Sequence, residues 1–383
     1  MNLLMQESFL EFYGRHRISP VRRDLSDLEA LFKMREGLFR QLGILPQLVR
    51  EKRVMEVGPG SGCHSLYTAS LGPSDLTLVE ANPTGIAHIH QLFADYPQFQ
   101  RPLRVVPMRI EDYDTSDRFD LVLCEGMLFG LPDPVFTLKH LARFVAPGGL
   151  LVITCVDAVS YFSETLRRLF AEMVVVPHAP LAENVSRLLP IFSPHLATLE
   201  GMNRSHEDWI IDNLINPAAT AGFFPIPTAV SGLQESFDVY SASPLFFHDW
   251  RWYKTLGSGG QGTNEMVVEQ YWQTVHNFLD YRVVHLPRSA TANRDLVQLA
   301  EGIQGKIRDY GRMPEILWDI RRLLGGLIAH VKSFSNEAAL ALMEVEGLLE
   351  REPLSPSLLA TCRHFAPLFG RGQQHLSLTR RGA

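Results

Sequence analysis

The sequence has little cysteine: four residues in 383, Cys63, Cys124, Cys155 and Cys362, with no C-x-x-C pair among them. That spacing excludes a zinc ribbon and a disulfide framework, and reduced thiols in a cytoplasmic protein are the expectation. Also missing is any apolar run of the ~20 residues needed to span a bilayer. The start of the chain carries Glu7 and Glu11, where a secretory signal would have a basic end and an apolar centre. Positive charge is in deficit: 36 Lys and Arg against 42 Asp and Glu give −6, which argues against nucleic acid as a partner. There is no internal repeat and no long low-complexity tract. What the chain does have is apolar content, 46% hydrophobic and 10% aromatic, enough at this length for two or more structural units.

The hydrophobic pattern divides the chain into four parts. Residues 1–48 read as helical, with Leu28, Leu31, Phe32, Leu38, Phe39 and Leu42 on one side of Asp24–Leu45. Residues 49–157 alternate. Strands are predicted at Arg53–Val57, Leu76–Glu80, Leu103–Pro107, Phe119–Cys124 and Leu150–Cys155, with helices at Pro83–Phe93 and Asp133–Val145. Asp133 is suited to the N-cap of that second helix and Pro134 to its first position. Such alternation predicts an α/β fold, an open and mostly parallel sheet with crossover helices. Residues 158–256 form an insertion that contributes a late strand at Phe237–Ser241, and Gly257–Gly262 reads as a flexible connection. Residues 264–370 carry apolar residues at helical spacing, and Gly370–Ala383 reads as frayed.

The most informative stretch is Val54-Met55-Glu56-Val57-Gly58-Pro59-Gly60-Ser61-Gly62, a strand ending in an acid, three glycines at alternate positions, then a helix. A backbone that turns sharply and approaches a ligand needs residues without a Cβ. The helix that follows directs free N–H groups at whatever is bound. The dinucleotide fingerprint G-x-G-x-x-G would put its third glycine at position 63, where Cys63 stands, so a nicotinamide oxidoreductase is disfavoured.

Acidic-x-G-x-G-x-G instead resembles motif I of the class I S-adenosylmethionine (SAM)-dependent methyltransferases, and the resemblance runs in register over about residues 50–157. It implies a Rossmann-like core of that type at 49–157 with SAM as cofactor. It also implies a cofactor site built from Glu56, Gly58, Gly60, Gly62, Glu80, Ile110, Glu111 and Glu125. Glu80, at the end of the second strand, becomes the ribose ligand. Ile110 and Glu111 become the adenine contacts, with Asp112 an equal rival to Glu111. Glu56 either engages the amino group of the cofactor or braces the glycine loop. Leu121–Leu128 lies where the family flanks the methionine portion and the reacting methyl, and Leu131-Pro132-Asp133-Pro134 and Pro147-Gly148-Gly149 resemble its downstream landmarks.

Methyl transfer is an in-line displacement, so the acceptor has to be held on the axis opposite sulfur. A hydroxyl acceptor also needs a base, and Glu125, His248 and His206 are the catalytic candidates. No metal-binding aspartate cluster is evident, and Cys124-Glu125-Gly126-Met127 is not the sequence used to methylate exocyclic amines of bases. A small-molecule or glycan-type acceptor is expected, with 158–256 covering its site. Residues 1–48 are expected to form a cofactor lid in which Arg35 is available to a carboxylate. The C-terminal helices are expected to cover the acceptor or to make a homodimer. No membrane partner is expected, since basic charge is not segregated on them. The alternative to an enzyme is a module that binds SAM without turnover.

Overall fold

A computed structural model describes residues 8–220, 222–256, 262–311, 313–351 and 354–382. Most of the predicted Gly257–Gly262 connection lies outside these residues. The chain divides into two compact units. The first contains the described parts of Met1–Val156, Ala221–Tyr271 and Gln373–Ala383, and the second Asp157–Thr220 and Trp272–Gly372. This division differs from the expected four consecutive segments. Residues 157–220 of the insertion belong with the C-terminal helices, whereas its later strand belongs with the sheet.

The first unit is built on a seven-stranded sheet. Its strands are β1 (Arg53–Val57), β2 (Asp75–Val79), β3 (Leu103–Val106), β4 (Phe119–Cys124), β5 (Val145–Cys155), β6 (Phe237–Ser243) and β7 (Gln374–Arg380). Their order across the sheet is β3-β2-β1-β4-β5-β7-β6. Strands β1 to β5 are parallel, and β7 is antiparallel to both β5 and β6. It follows that β6 runs in the direction of β1–β5, and its last residue lies at the carboxyl edge of the sheet. The helices of this unit include α1 (Phe9–His16), α2 (Leu28–Gln41), α3 (Ser65–Ser70), α4 (Pro83–Asp95) and α5 (Pro134–Phe144). As expected, Asp133 caps α5, accepting from the Phe136 N–H at 2.9 Å, and Pro134 opens the helix.

Two expectations need correction. The segment read as frayed supplies β7, which sits inside the sheet between β5 and β6. Leu376 and Leu378 are buried on one face, and Ser377 on the other donates its hydroxyl to the Leu42 carbonyl at 2.8 Å. The described residues of the expected 1–48 lid are not separable either. Phe39, Leu42 and Ile44 are buried in one apolar cluster with Leu66 and Tyr67, Ile89 and Phe93, and the strand residues Val54, Leu76, Leu78, Leu121, Leu123 and Val152. At about 1.5–3 kcal/mol per large apolar side chain, deleting this segment would unmake the core rather than uncover a site.

The second unit is helical. It includes α6 (Phe162–Val174), α7 (Leu181–Leu196) and the long helices Ala290–Arg308, Pro314–Lys332 and Asn336–Leu349. Within it Arg167 is fully buried, and among the described residues no carboxylate hydrogen-bonds to its fork. The guanidinium donates instead to the carbonyls of Phe365, Ala366 and Leu368 and lies 3.7 Å from the Phe369 ring centroid.

Candidate functional site

The glycine loop leaves β1 at the carboxyl edge of the sheet. Gly58, Gly60 and Gly62 have φ of +67°, +61° and +78°, a region that side chains disfavour, so the alternation of glycines is a backbone requirement. Gly60 is also closely approached, because a Cβ there would stand 2.4 Å from Cγ2 of Val21. From behind, α4 presses on the same loop. A Cβ on Gly85 would lie 2.7 Å from the Gly60 carbonyl oxygen.

Two acids hold this loop in shape. Glu56, at the end of β1, is buried and accepts from the hydroxyls of Ser65 and Thr68 on α3. Burial raises its carboxyl, and the two hydroxyls work against that. Both oxygens thus have partners on α3, the helix that follows the loop. Glu80, one residue beyond β2, accepts from the Gly60 N–H and the Asn82 N–H, both at 2.8 Å. Burial raises its carboxyl too, against these N–H groups. Asn82 caps α4 and donates through Nδ2 to the Ile18 carbonyl at 2.9 Å, which ties the segment between α1 and α2 to the same edge.

Beyond the loop lies a buried charge pair. Arg35 of α2 donates from Nη1 and Nη2 to the two oxygens of Glu125 at 2.8 and 2.9 Å. Arg35 is 2% exposed and the Glu125 side chain 17%. Burial pushes the Glu125 carboxyl up, but the guanidinium outweighs it through charge and hydrogen bonds and brings the carboxyl down to about 2. His64 Nδ1 stands 3.9 Å from the same carboxylate. Burial and then the Arg35 charge lower His64 to about 3, so the ring is neutral. Its Nε2 and the Nε of Arg35 are buried and meet no acceptor or donor among the described residues.

Ile110 and Glu111 lie on a short turn after β3, at the same edge of the sheet. Ile110 is buried. Glu111 is part-exposed, 3.5 Å from the Thr137 hydroxyl and 3.6 Å from Arg109 Nε, while Asp112 is exposed. His248 is exposed on the segment after β6, where Gln270 brackets its backbone with hydrogen bonds of 3.4 and 3.1 Å. It shares the carboxyl edge with the glycine loop, but four strand spacings, about 19 Å, separate β6 from β1. His206 belongs to the second unit, as the first residue of the short helix His206–Ile210. Thus Glu56, the three glycines, Glu80 and Glu125 are gathered at one place, with Ile110 and Glu111 beside them. Sequence reasoning did not find His64, the Ser65 and Thr68 hydroxyls, Asn82, Gly85 or the pairing of Arg35 with Glu125. Only Ser65 and Thr68, three apart on the helix after the loop, carried a local signal.

A mostly parallel sheet in this order, with helices on it and a glycine loop after β1, is the Rossmann-like fold of a class I methyltransferase. Residues 30–195 match the family model described as a methyltransferase domain. The chain carries a methyltransferase domain of the class I, SAM-dependent type. Over 153 residues it is 31% identical to a ubiquinone biosynthesis O-methyltransferase of Aeromonas salmonicida, covering 38% of this chain and 54% of that protein. Over 168 residues it is 27% identical to the mitochondrial ubiquinone biosynthesis O-methyltransferase of Schizosaccharomyces pombe, covering 43% and 57%. This chain spans about half the length of these curated relatives. Among solved structures it is similar to the N-methyltransferase NodS of Bradyrhizobium japonicum in complex with S-adenosyl-L-homocysteine. There the identity is 19%, the coverage 38% of this chain and 74% of that one, and the TM-score 0.32.

Proposed function

We propose that this chain transfers a methyl group from SAM to a small-molecule or glycan-type acceptor. The single observation that supports this best is the loop Gly58–Gly62, which turns at the strand edge through three left-handed glycines while Glu80 clamps the Gly60 N–H and Gly85 lets α4 approach it closely. The relatives named O-methyltransferases favour oxygen as the acceptor atom. SAM would supply a methyl group on a positively charged sulfur. The glycine backbone, Glu80, and the turn at Ile110 and Glu111 would hold its nucleoside. The orphaned buried atoms Arg35 Nε and His64 Nε2 would face its amino-acid end, and they fit a ligand that carries both a carboxylate and an amine.

In this reading Glu125 is not the base. A carboxylate held near 2 and forked by Arg35 is a weak proton acceptor at neutral pH. It orients Arg35 and adds negative charge where a cationic cofactor binds. Positioning therefore carries most of the rate. His248, within the same unit and exposed, is the base to test for a hydroxyl acceptor.

Calorimetric titration with SAM, S-adenosylhomocysteine and NAD tests the cofactor. SAM is expected to bind and NAD not to, and the reverse result would sink the reading. Turnover with methyl-labelled SAM and candidate acceptors separates an enzyme from a silent binding module. The glycine loop has a cleaner probe than Gly60→Val, which would also clash with Val21 and strain a left-handed residue. Gly85→Ala has ordinary helical backbone and gains helix propensity, but its Cβ must displace the Gly60 carbonyl. It is expected to weaken SAM binding at least tenfold, about 1.4 kcal/mol, and to lower the melting temperature by a few degrees, so affinity is compared well below the transition. Equal affinity in the variant would move the cofactor away from this loop.

A further inference from the structure

The segment following β6 carries large apolar side chains into solvent. From His248 to Leu256 every residue is exposed. Trp250 is 91% exposed, Trp252 62% and Tyr253 68%, and Leu245 and Leu256 are each half exposed. Soluble proteins scatter single apolar side chains over their surfaces, whereas five large ones within twelve residues mark a contact site. The shape of the site restricts the partner. A small ligand takes a concave pocket that shelters ring faces on several sides. Trp250, at 91% exposure, has no such shelter, which suits insertion into a deformable medium.

Charge narrows the choice further. Asp249 is the only acid from Leu245 to Asn264, and Arg251 neutralises it with bonds of 2.7–3.1 Å. The Lys254 ammonium lies 5.0 Å from the Trp252 ring centroid and 5.8 Å from that of Tyr253, and among the described residues no carboxylate pairs with it. Apolar rings with a cation on a flexible stem beside them suit the headgroup region of an anionic bilayer. There Trp and Tyr settle at the interface and Lys reaches the phosphates. No helix among the described residues is long and apolar enough to cross a membrane, so such contact would be superficial.

We propose that Leu245–Leu256 docks this protein reversibly on anionic phospholipid surfaces. The segment leaves the sheet at its carboxyl edge, so docking would turn the edge that bears the glycine loop toward the lipid. The expectation of no membrane partner rested on the lack of a spanning run and of a basic helix, and neither bears on an exposed loop. The inference does not depend on the methyl-transfer reading.

The test uses the full chain with phosphatidylcholine vesicles, with and without phosphatidylglycerol, some carrying brominated acyl chains. Wild type is expected to sediment with the anionic vesicles and to have its tryptophan fluorescence quenched by bromine. Trp250→Ser with Trp252→Ser should lower partitioning at least tenfold and remove the quenching, with an unchanged melting temperature because both rings are in solvent. Lys254→Glu should lower binding to anionic vesicles alone. Failure of wild type to sediment with either vesicle, or unchanged binding by the double tryptophan variant, overturns the proposal. Self-association without lipid that the tryptophan variant abolishes would also overturn it, by assigning the loop to a protein interface.

Discussion

Arg35→Ala is expected to cost about 3–5 kcal/mol of unfolding free energy, a large part of the stability of a typical domain. The reason is the asymmetry of buried charge. With its guanidinium gone, the Glu125 carboxylate is left against β4 and α2 without the fork that holds it ionised. Glu125→Ala should cost a similar amount by stranding Arg35, which is 2% exposed. The double replacement Arg35→Met with Glu125→Leu removes both charges at similar volume and should recover most of the loss. SAM affinity is expected to stay lost in the double variant, because the polar groups proposed for the amino-acid end are absent. Denaturant unfolding and calorimetry on the four proteins separate the two effects. An Arg35→Ala protein as stable as wild type would show the pair to be hydrated and energetically unimportant. Glu125 contributes in full above its unfolded value of 4.5, and the contribution falls away progressively between there and about 2. The pair therefore plays no part in losses above about pH 5.

Between pH 6.5 and about 4 the second unit is expected to lose stability as acid is added. His195 and His276 are both buried there, and both are held in the neutral form by the same arrangement. In each, Nε2 faces a backbone carbonyl, of Leu359 at 2.8 Å or Leu286 at 3.1 Å, which assigns the ring proton to Nε2. Nδ1 must then accept, from Arg167 Nε at 3.3 Å in His195 and from Asn293 Nδ2 at 3.2 Å in His276. A second proton on Nδ1 would point at a donor. Burial and then the neighbouring arginine, Arg167 or Arg288, lower His195 to about 3 and His276 to about 4.

The sign follows from which state takes the proton. These folded values lie below the unfolded value of 6.5, so the unfolded chain binds more protons in that window. Stability is full above 6.5 and declines as the pH falls toward 4. Each histidine should contribute on the order of 2 kcal/mol of that decline between pH 6.5 and 5. Glu164, which burial pushes up, works in the opposite direction, so single variants are needed to assign the effect. Urea unfolding of wild type, His195→Gln and His276→Gln at pH 7.5 and 5 supplies the check. Each variant should flatten the pH dependence, and parallel curves for all three would exclude these rings as its source.

The sequence by itself determined the part of the site that is local along the chain. Strand, acid, alternate glycines and helix are contiguous from Val54 to Ser70. Left-handed backbone at Gly58, Gly60 and Gly62 is a property of residue type that needs no distant partner. The parallel core was legible for the same reason, since alternating apolar strands and capped helices such as Pro134–Phe144 carry their own signals. Tertiary structure alone decided how those groups are spent. Whether Glu80 is free or clamped depends on the distance of its oxygens from Gly60, and whether Glu125 is a base depends on Arg35, 90 residues away. Nothing in the character of Gln374–Arg380 announces a strand between β5 and β6, because its seven residues follow Arg371 and Gly372 and only two leucines alternate. That strand exists because the edges of β5 and β6 leave N–H and C=O groups to be paired, a demand made by the assembled sheet and not by the segment.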